Sequence, residues 1–160
     1  IWSIPGGPRG TVSDELVSHL DFAPSILDLA GVPQPEYGPP RGSRIVTPAQ
    51  LRPLPGRSLA RKAGQKSRNI PDAVLVENDE DYIGLRLRTV ITKKHQLTVY
   101  VGESGEMPFG ELFDLRNDPG QTHNRWSDPA FRRIKAGLKE QLLAELIRTD
   151  NRLPRRSEHA

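Results

Sequence analysis

Eight prolines between positions 32 and 72 (Pro33, Pro35, Pro39, Pro40, Pro48, Pro53, Pro55 and Pro71) constrain this 160-residue chain more than any other feature. Each removes a backbone donor and fixes φ, so neither a helix nor a strand ladder can persist through them. Regular structure must therefore lie on either side, in residues 1–34 and 73–150. Residues 35–72 read as a connection with at most a helical turn near 47–52 or 57–62. A connection of that length inside a compact domain is either functional or wrapped over a larger body. Pro154 and the two arginines after it make residues 151–160 a frayed or docked tail.

In the first flank, Asp21 is expected as an N-cap and Pro24 fits a first turn. Phe22, Ile26, Leu29 and Ala30 recur at helical spacing as an inward stripe before Gly31 stops the helix, giving a short buried helix over about 22–30. Residues 12–20 suit either a short helix or a strand end. The second flank reads as four strands and a helix. Ala73-Val74-Leu75-Val76 is apolar throughout. Ile83, Leu85 and Leu87 alternate with Gly84, Arg86 and Arg88, which puts the two arginines on the face away from the helix. Leu97-Thr98-Val99-Tyr100-Val101 and residues 110–115 complete the set. Turn signals at Lys93-Lys94 and at Gly102-Glu103-Ser104-Gly105 favour an antiparallel meander.

The last strand runs into Asn117-Asp118-Pro119-Gly120, where Asn and Asp can bond nearby amides and Pro fixes φ, so it ends in a tight, ordered turn. Asp128 then caps a helix over about 129–149, Pro129 fits its first position, and Phe131, Ile134, Leu138, Leu142 and Leu146 form one stripe for the sheet. With 35% apolar residues, the core so built is modest.

Most catalytic patterns are missing. The chain has no cysteine, which removes disulfides, thiolate metal sites and a Cys nucleophile from these residues. Gly56-Arg57-Ser58-Leu59-Ala60 is the nearest approach to Gly-x-Ser-x-Gly and ends in Ala, and no phosphate-binding glycine loop occurs. His19, His95, His123 and His159 lack ligand spacing. A calcium-loop reading that begins at Asp79 and Asp81 fails, because Ile83 and Val90 stand where ligands belong.

The polar run Glu77-Asn78-Asp79-Glu80-Asp81 exceeds what a turn requires, and Glu77, Asn78 and Asp79 could bond sugar hydroxyls or a substrate cation. Arg86, Arg88 and His95 are the candidates for an anionic substrate. Seven further Arg and Lys after Arg41 reach position 68 with no acid between them, but they lack the aromatic interleaving that would suit nucleic acid, which is not an expected partner. No apolar run approaches the roughly 18 residues a membrane helix needs, and no membrane partner is expected. Residues 1–7 lack signal-peptide features and the chain does not open on Met, so an upstream part is expected.

Glu111 to Asn124 resembles the C-terminal signature of the sulfatase family, a Glu-Leu-Tyr-Asp-Leu strand followed by Asp-Pro-x-Glu-x-x-Asn, with Phe113 for the usual Tyr and Gln121 for the usual Glu. Val17 to Val32 is similar to the family's His-x-Asp-x-x-Pro-Thr-Leu-Leu-x-Leu-Ala-Gly segment, with Ser25 for Thr, and Gly56-Arg57-Ser58-Leu59 to its Gly-x-Ser-Leu. All three come in family order.

The resemblance implies an α+β chain, the C-terminal piece of an alkaline phosphatase-like α/β fold. Residues 1–34 would be the last elements of the catalytic domain, 35–72 a Pro-rich basic connection, and 73–150 a C-terminal subdomain in which a four-stranded antiparallel sheet is packed by a long helix. It implies a sulfuric ester hydrolase whose formylglycine nucleophile and divalent cation, calcium, belong to an N-terminal catalytic part. This chain would then shape the pocket for a small sulfated substrate and be inactive alone, with no catalytic or metal-binding residue of its own. The alternatives are a stand-alone anion-binding or interaction module and a truncated, inactive gene product.

Overall fold

The computed structural model describes residues 10, 12–34, 54, 56–60, 72–80, 82, 84–101 and 109–149. The chain divides into two compact units, one formed by residues 70–148 and the other by the rest.

The first unit is organised by Asp21. Ser18 opens a 3-10 turn, His19–Asp21, in a capping box: its hydroxyl accepts from Leu20 N–H, and Asp21 accepts from Ser18 N–H at 2.9 Å. Helix α1, Phe22–Leu29, follows directly. Asp21 is buried and places no side-chain cap on α1; its other oxygen accepts from Arg57 N–H at 2.9 Å instead. Ser25, also buried, donates to Asp21 C=O and accepts from Leu59 N–H, while Ser58 donates to Asp28. Gly56 closes the seam, since a Cβ there would collide with the Leu20 carbonyl. The His-x-Asp-x-x-Pro-Ser and Gly-x-Ser-Leu segments are thus one hydrogen-bonded joint.

Two expectations change here. The inward face of α1 carries Asp21, Pro24 and Ser25, whereas Phe22, Ile26 and Leu29 are 44%, 59% and 47% exposed. The polar side is the one that meets residues 57–59, so the apolar stripe points elsewhere. Residues 57–60 are non-helical, and the turn near 47–52 lies outside the described residues. Gly31 does stop the helix, at φ 67°, with Val32 N–H reaching Leu27 C=O.

The second unit is a meander. Strands β1 (Ala73–Glu80), β2 (Leu85–Thr92), β3 (His95–Val101) and β4 (Gly110–Asp114) pair antiparallel in sequence order. Residues directly opposite share a face. Leu75, Val90, Leu97 and Leu112 form one such row; Val90, Leu97 and Leu112 belong to the buried core with Ala73 and Val99, and Leu75 packs half-buried against it. A 3-10 turn, Pro129–Phe131, leads into α2, Arg132–Thr149, with Asp128 as the cap and Pro129 in the first turn. Leu138 and Leu142 enter the core, with Phe131, Ile134 and Leu146 packed beside it.

The ordered turn after β4 is built by three side chains. Asp114 accepts from the N–H groups of Arg116 and Asn117, Asp118 from those of Thr122 and His123, and Asn124 from those of Leu112 and Trp126. Gly110 leaves room for the Trp126 ring, whose other contacts include the ammonium groups of Lys135 at 4.7 Å and Lys139 at 4.9 Å. The turn expected over 102–105 and the tail 151–160 lie outside the described residues.

Candidate functional site

Strand alternation decides where the candidate residues point. Val90 is fully buried under α2, so Arg88 and Arg86, two and four residues back, lie on that same face beyond the core. Leu85 and Leu87 take the opposite face. The expected parity is therefore reversed, because the inward residues of β2 are set by Val90 and not by the Leu85–Leu87 pair.

Opposite the arginines, β1 continues to Glu80, so residues 77–80 of the polar run are a strand end. Register places Glu77 across from Arg88 and Asp79 across from Arg86. Arg88 is the hub. Its guanidinium donates to both oxygens of Asp79, at 2.6 and 3.2 Å, and its Nε lies 3.1 Å from Glu77 Oε1. The side chain of Arg88 is 19% exposed, against 49% for Glu77 and 46% for Asp79, so the cation sits beneath two open carboxylates.

The hydrogen bond from Arg88 holds the Asp79 carboxyl below its usual range and raises the guanidinium in return. Arg86 is exposed and lowers Asp79 further through space. The group offers water or a ligand two fixed acceptors and one accessible cation. That chemistry suits a polyhydroxylated molecule with an anionic substituent.

Glu77, Asp79, Arg86 and Arg88 are therefore brought together, while Asn78 and His95 are not part of the group. Asn78 pairs with Leu87 and shares its face. His95 starts β3 opposite Asp114, edge-on to Phe131 at 6.5 Å. Burial lowers its pKa below 6.5, with Lys94 and Arg116 acting in the same direction against Asp114. It borders an open cleft between the β2–β3 turn and α2, also lined by Lys93, Lys94 and Arg133.

Sequence reasoning missed the cleft. Lys93-Lys94 registers only as a turn, and nothing local shows that α2 returns beside it. Among the described residues no three His, Asp or Glu gather as metal ligands, and no helix is long and apolar enough to cross a membrane. The basic stretch 41–68 falls largely outside the described residues.

Comparison with known proteins gives this geometry a context. Residues 2–148 match the family model of N-sulphoglucosamine sulphohydrolase, C-terminal. An ulvan-active sulfatase of Formosa agariphila is 23% identical over 161 aligned residues, 84% of this chain and 30% of that protein. An uncharacterized sulfatase of Escherichia coli is 27% identical over 142 residues, 87% of this chain and 24% of that protein. The solved structure of a 2-O GAG sulfatase superposes with a TM-score of 0.59 at 25% identity, over 82% of this chain and 25% of the other. The chain spans between about a quarter and a third of the length of the curated sulfatases that it matches.

Proposed function

The chain belongs to the sulfatase family, as a C-terminal portion within the alkaline phosphatase-like superfamily, and from that premise we propose that it walls the substrate pocket of a sulfate-ester hydrolase. Residues 1–34 would close the catalytic α/β domain, 35–72 connect, and 73–150 form the pocket-side subdomain. The observation that carries this reading is the exposed group of Glu77, Asp79, Arg86 and Arg88 at one end of the sheet.

In that role Glu77 and Asp79 accept hydrogen bonds from sugar hydroxyls. Arg88 favours the ionised form of Asp79 and offsets the repulsion of both carboxylates toward a nearby sulfate, and Arg86 supplies the accessible positive charge. Two apolar surfaces support a larger body around the chain. One is the exposed stripe of α1, and the other is the sheet face opposite α2, which carries Val74, Val76, Leu85, Leu87 and Ile91.

The nucleophile belongs to the missing catalytic part on this reading. The chain has no cysteine, and neither Ser43 nor Ser58 is followed by x-Pro-x-Arg. Nor do the described carboxylates of the Arg88 group fit calcium. The ion takes six to eight oxygens, whereas Glu77 and Asp79 are turned onto Arg88 and no third acid joins them among the described residues. In a sulfatase, formylglycine hydrate supplies the attacking oxygen and the cation stabilises charge on the sulfate.

The test is the coding sequence upstream of Ile1, read in frame. A continuation into Cys/Ser-x-Pro-x-Arg with an Asp-Asn metal pair is the expected result; an immediate start codon would overturn the reading.

A further inference from the structure

The cleft beside the β2–β3 turn lies at the other end of β2 from the Arg86–Arg88 group. From Arg88 to Lys93 is five residues, roughly 16 Å of extended strand, so the two places are separate. The cleft has a volume of about 640 Å³, within the roughly 300–1,000 Å³ of small-molecule sites. Lys93, Lys94 and Arg133 line it against a single acid, Asp72. All three cations are exposed, and among the described residues none forms an ion pair. Ile134 and Leu138 contribute its apolar wall, and Gly137 between them leaves open space where a side chain would stand.

The backbone that presents the lysines is fixed. Thr92 Oγ1 accepts from the N–H groups of Lys94 and His95, at 3.2 and 2.9 Å, and donates to His95 C=O at 3.0 Å. Leu115 N–H closes on Lys94 C=O at 2.8 Å, tying the turn to the end of β4. A turn already ordered in this way adds little ordering cost when a ligand arrives.

We propose that this cleft is a second binding site, separate from the Arg86–Arg88 group, which takes a sulfate- or carboxylate-bearing sugar. The cationic rim neutralises the acidic substituent, and the Ile134–Leu138 wall takes the C–H face of the ring. The preference for an anion follows from the rim alone; the choice of a sugar rests on the sulfate-ester reading above.

The test is isothermal titration of the 160-residue chain with a sulfated heparin-type disaccharide and, separately, with sodium sulfate at matched ionic strength. The disaccharide should bind more tightly than the ion. Its affinity should fall at least tenfold in the double variant Lys93→Ala/Lys94→Ala and vanish in Gly137→Glu. Lys139→Ala removes one charge from another part of α2 and should change the affinity less than twofold, whereas Lys93→Ala and Lys94→Ala, each also one charge, should each weaken binding more than that. Gly137→Glu should keep the fold, since nothing lies within 4 Å of the added Cβ and Glu is the better helix former; an unchanged circular dichroism melt verifies it. Unchanged affinity in the cleft variants, no binding at all, or equal binding of sulfate and disaccharide would overturn the proposal. The sulfate-ester reading stands or falls separately, on hydrolysis by the longer protein.

Discussion

Arg88 answers two carboxylates at once, which makes it the residue on which the candidate pocket wall depends. In Arg88→Met the Asp79 carboxyl should lose the hydrogen bond that holds its pKa down, and NMR titration should find it ionising at higher pH than in the wild type; an unmoved titration would contradict the pairing. Gly110 and Asn124 play the corresponding structural part. A Cβ at Gly110 would overlap the Trp126 ring and lie 2.6 Å from Thr98 O, so Gly110→Ala should cost about 1–3 kcal/mol of stability in urea denaturation.

His95 adds a pH dependence. Its folded pKa is depressed, so below pH 6.5 the unfolded chain binds the proton more readily and stability falls with the pH. In His95→Phe that loss should be missing between pH 6.5 and 5; an equal loss in both proteins would refute it. Asp114 and Asp118 act lower. Their pKa values are held below 3.8 by hydrogen bonds from Asn117 and from Thr122 and His123, so the stability they add is present above that pH and disappears as the pH drops through the folded values.

Helix α2 and the β4 turn show how far the sequence could be read at the scale of elements. The stripe Phe131, Ile134, Leu138, Leu142 and Leu146 reaches the sheet as its spacing indicates, because four-residue periodicity and a capped start depend only on local residues. Leu138→Ala or Leu142→Ala should therefore cost about 2–5 kcal/mol, while exposed Leu143→Ala should change stability by less than about 0.5 kcal/mol. Comparable losses at all three positions would contradict the packing. The parity of β2 was not legible in the same way. Both Leu85–Leu87 and Val90 make plausible inward sets, and only the register with Leu97 and Leu112 selects Val90. The same choice moves Arg86 and Arg88 to the α2 side and brings them together with Glu77 and Asp79. For α1 the apolar stripe misled, because the decisive partners, residues 57–59, lie far along the proline-rich connection and bond its polar side.

For the molecule as a whole, the Asp21–Ser25–Arg57 joint and the sheet–helix unit account for all three stretches that resemble sulfatases, and in each the hydrogen bonds and packing hold separate parts of the chain together. In the proposed function the chain contributes shape and charge to a reaction whose nucleophile lies elsewhere. The isolated 160 residues should leave an aryl sulfate intact. The most direct measurement is sulfate release from a sulfated sugar by the longer protein that includes this segment, compared with its Arg86→Ala variant. A lost charge-assisted hydrogen bond is worth about 1.5–3 kcal/mol, so kcat/KM should fall by roughly ten- to a hundredfold, mostly through KM. Release at an equal rate by both proteins, or none by the longer protein, would contradict a pocket wall built on the Glu77–Asp79–Arg86–Arg88 group.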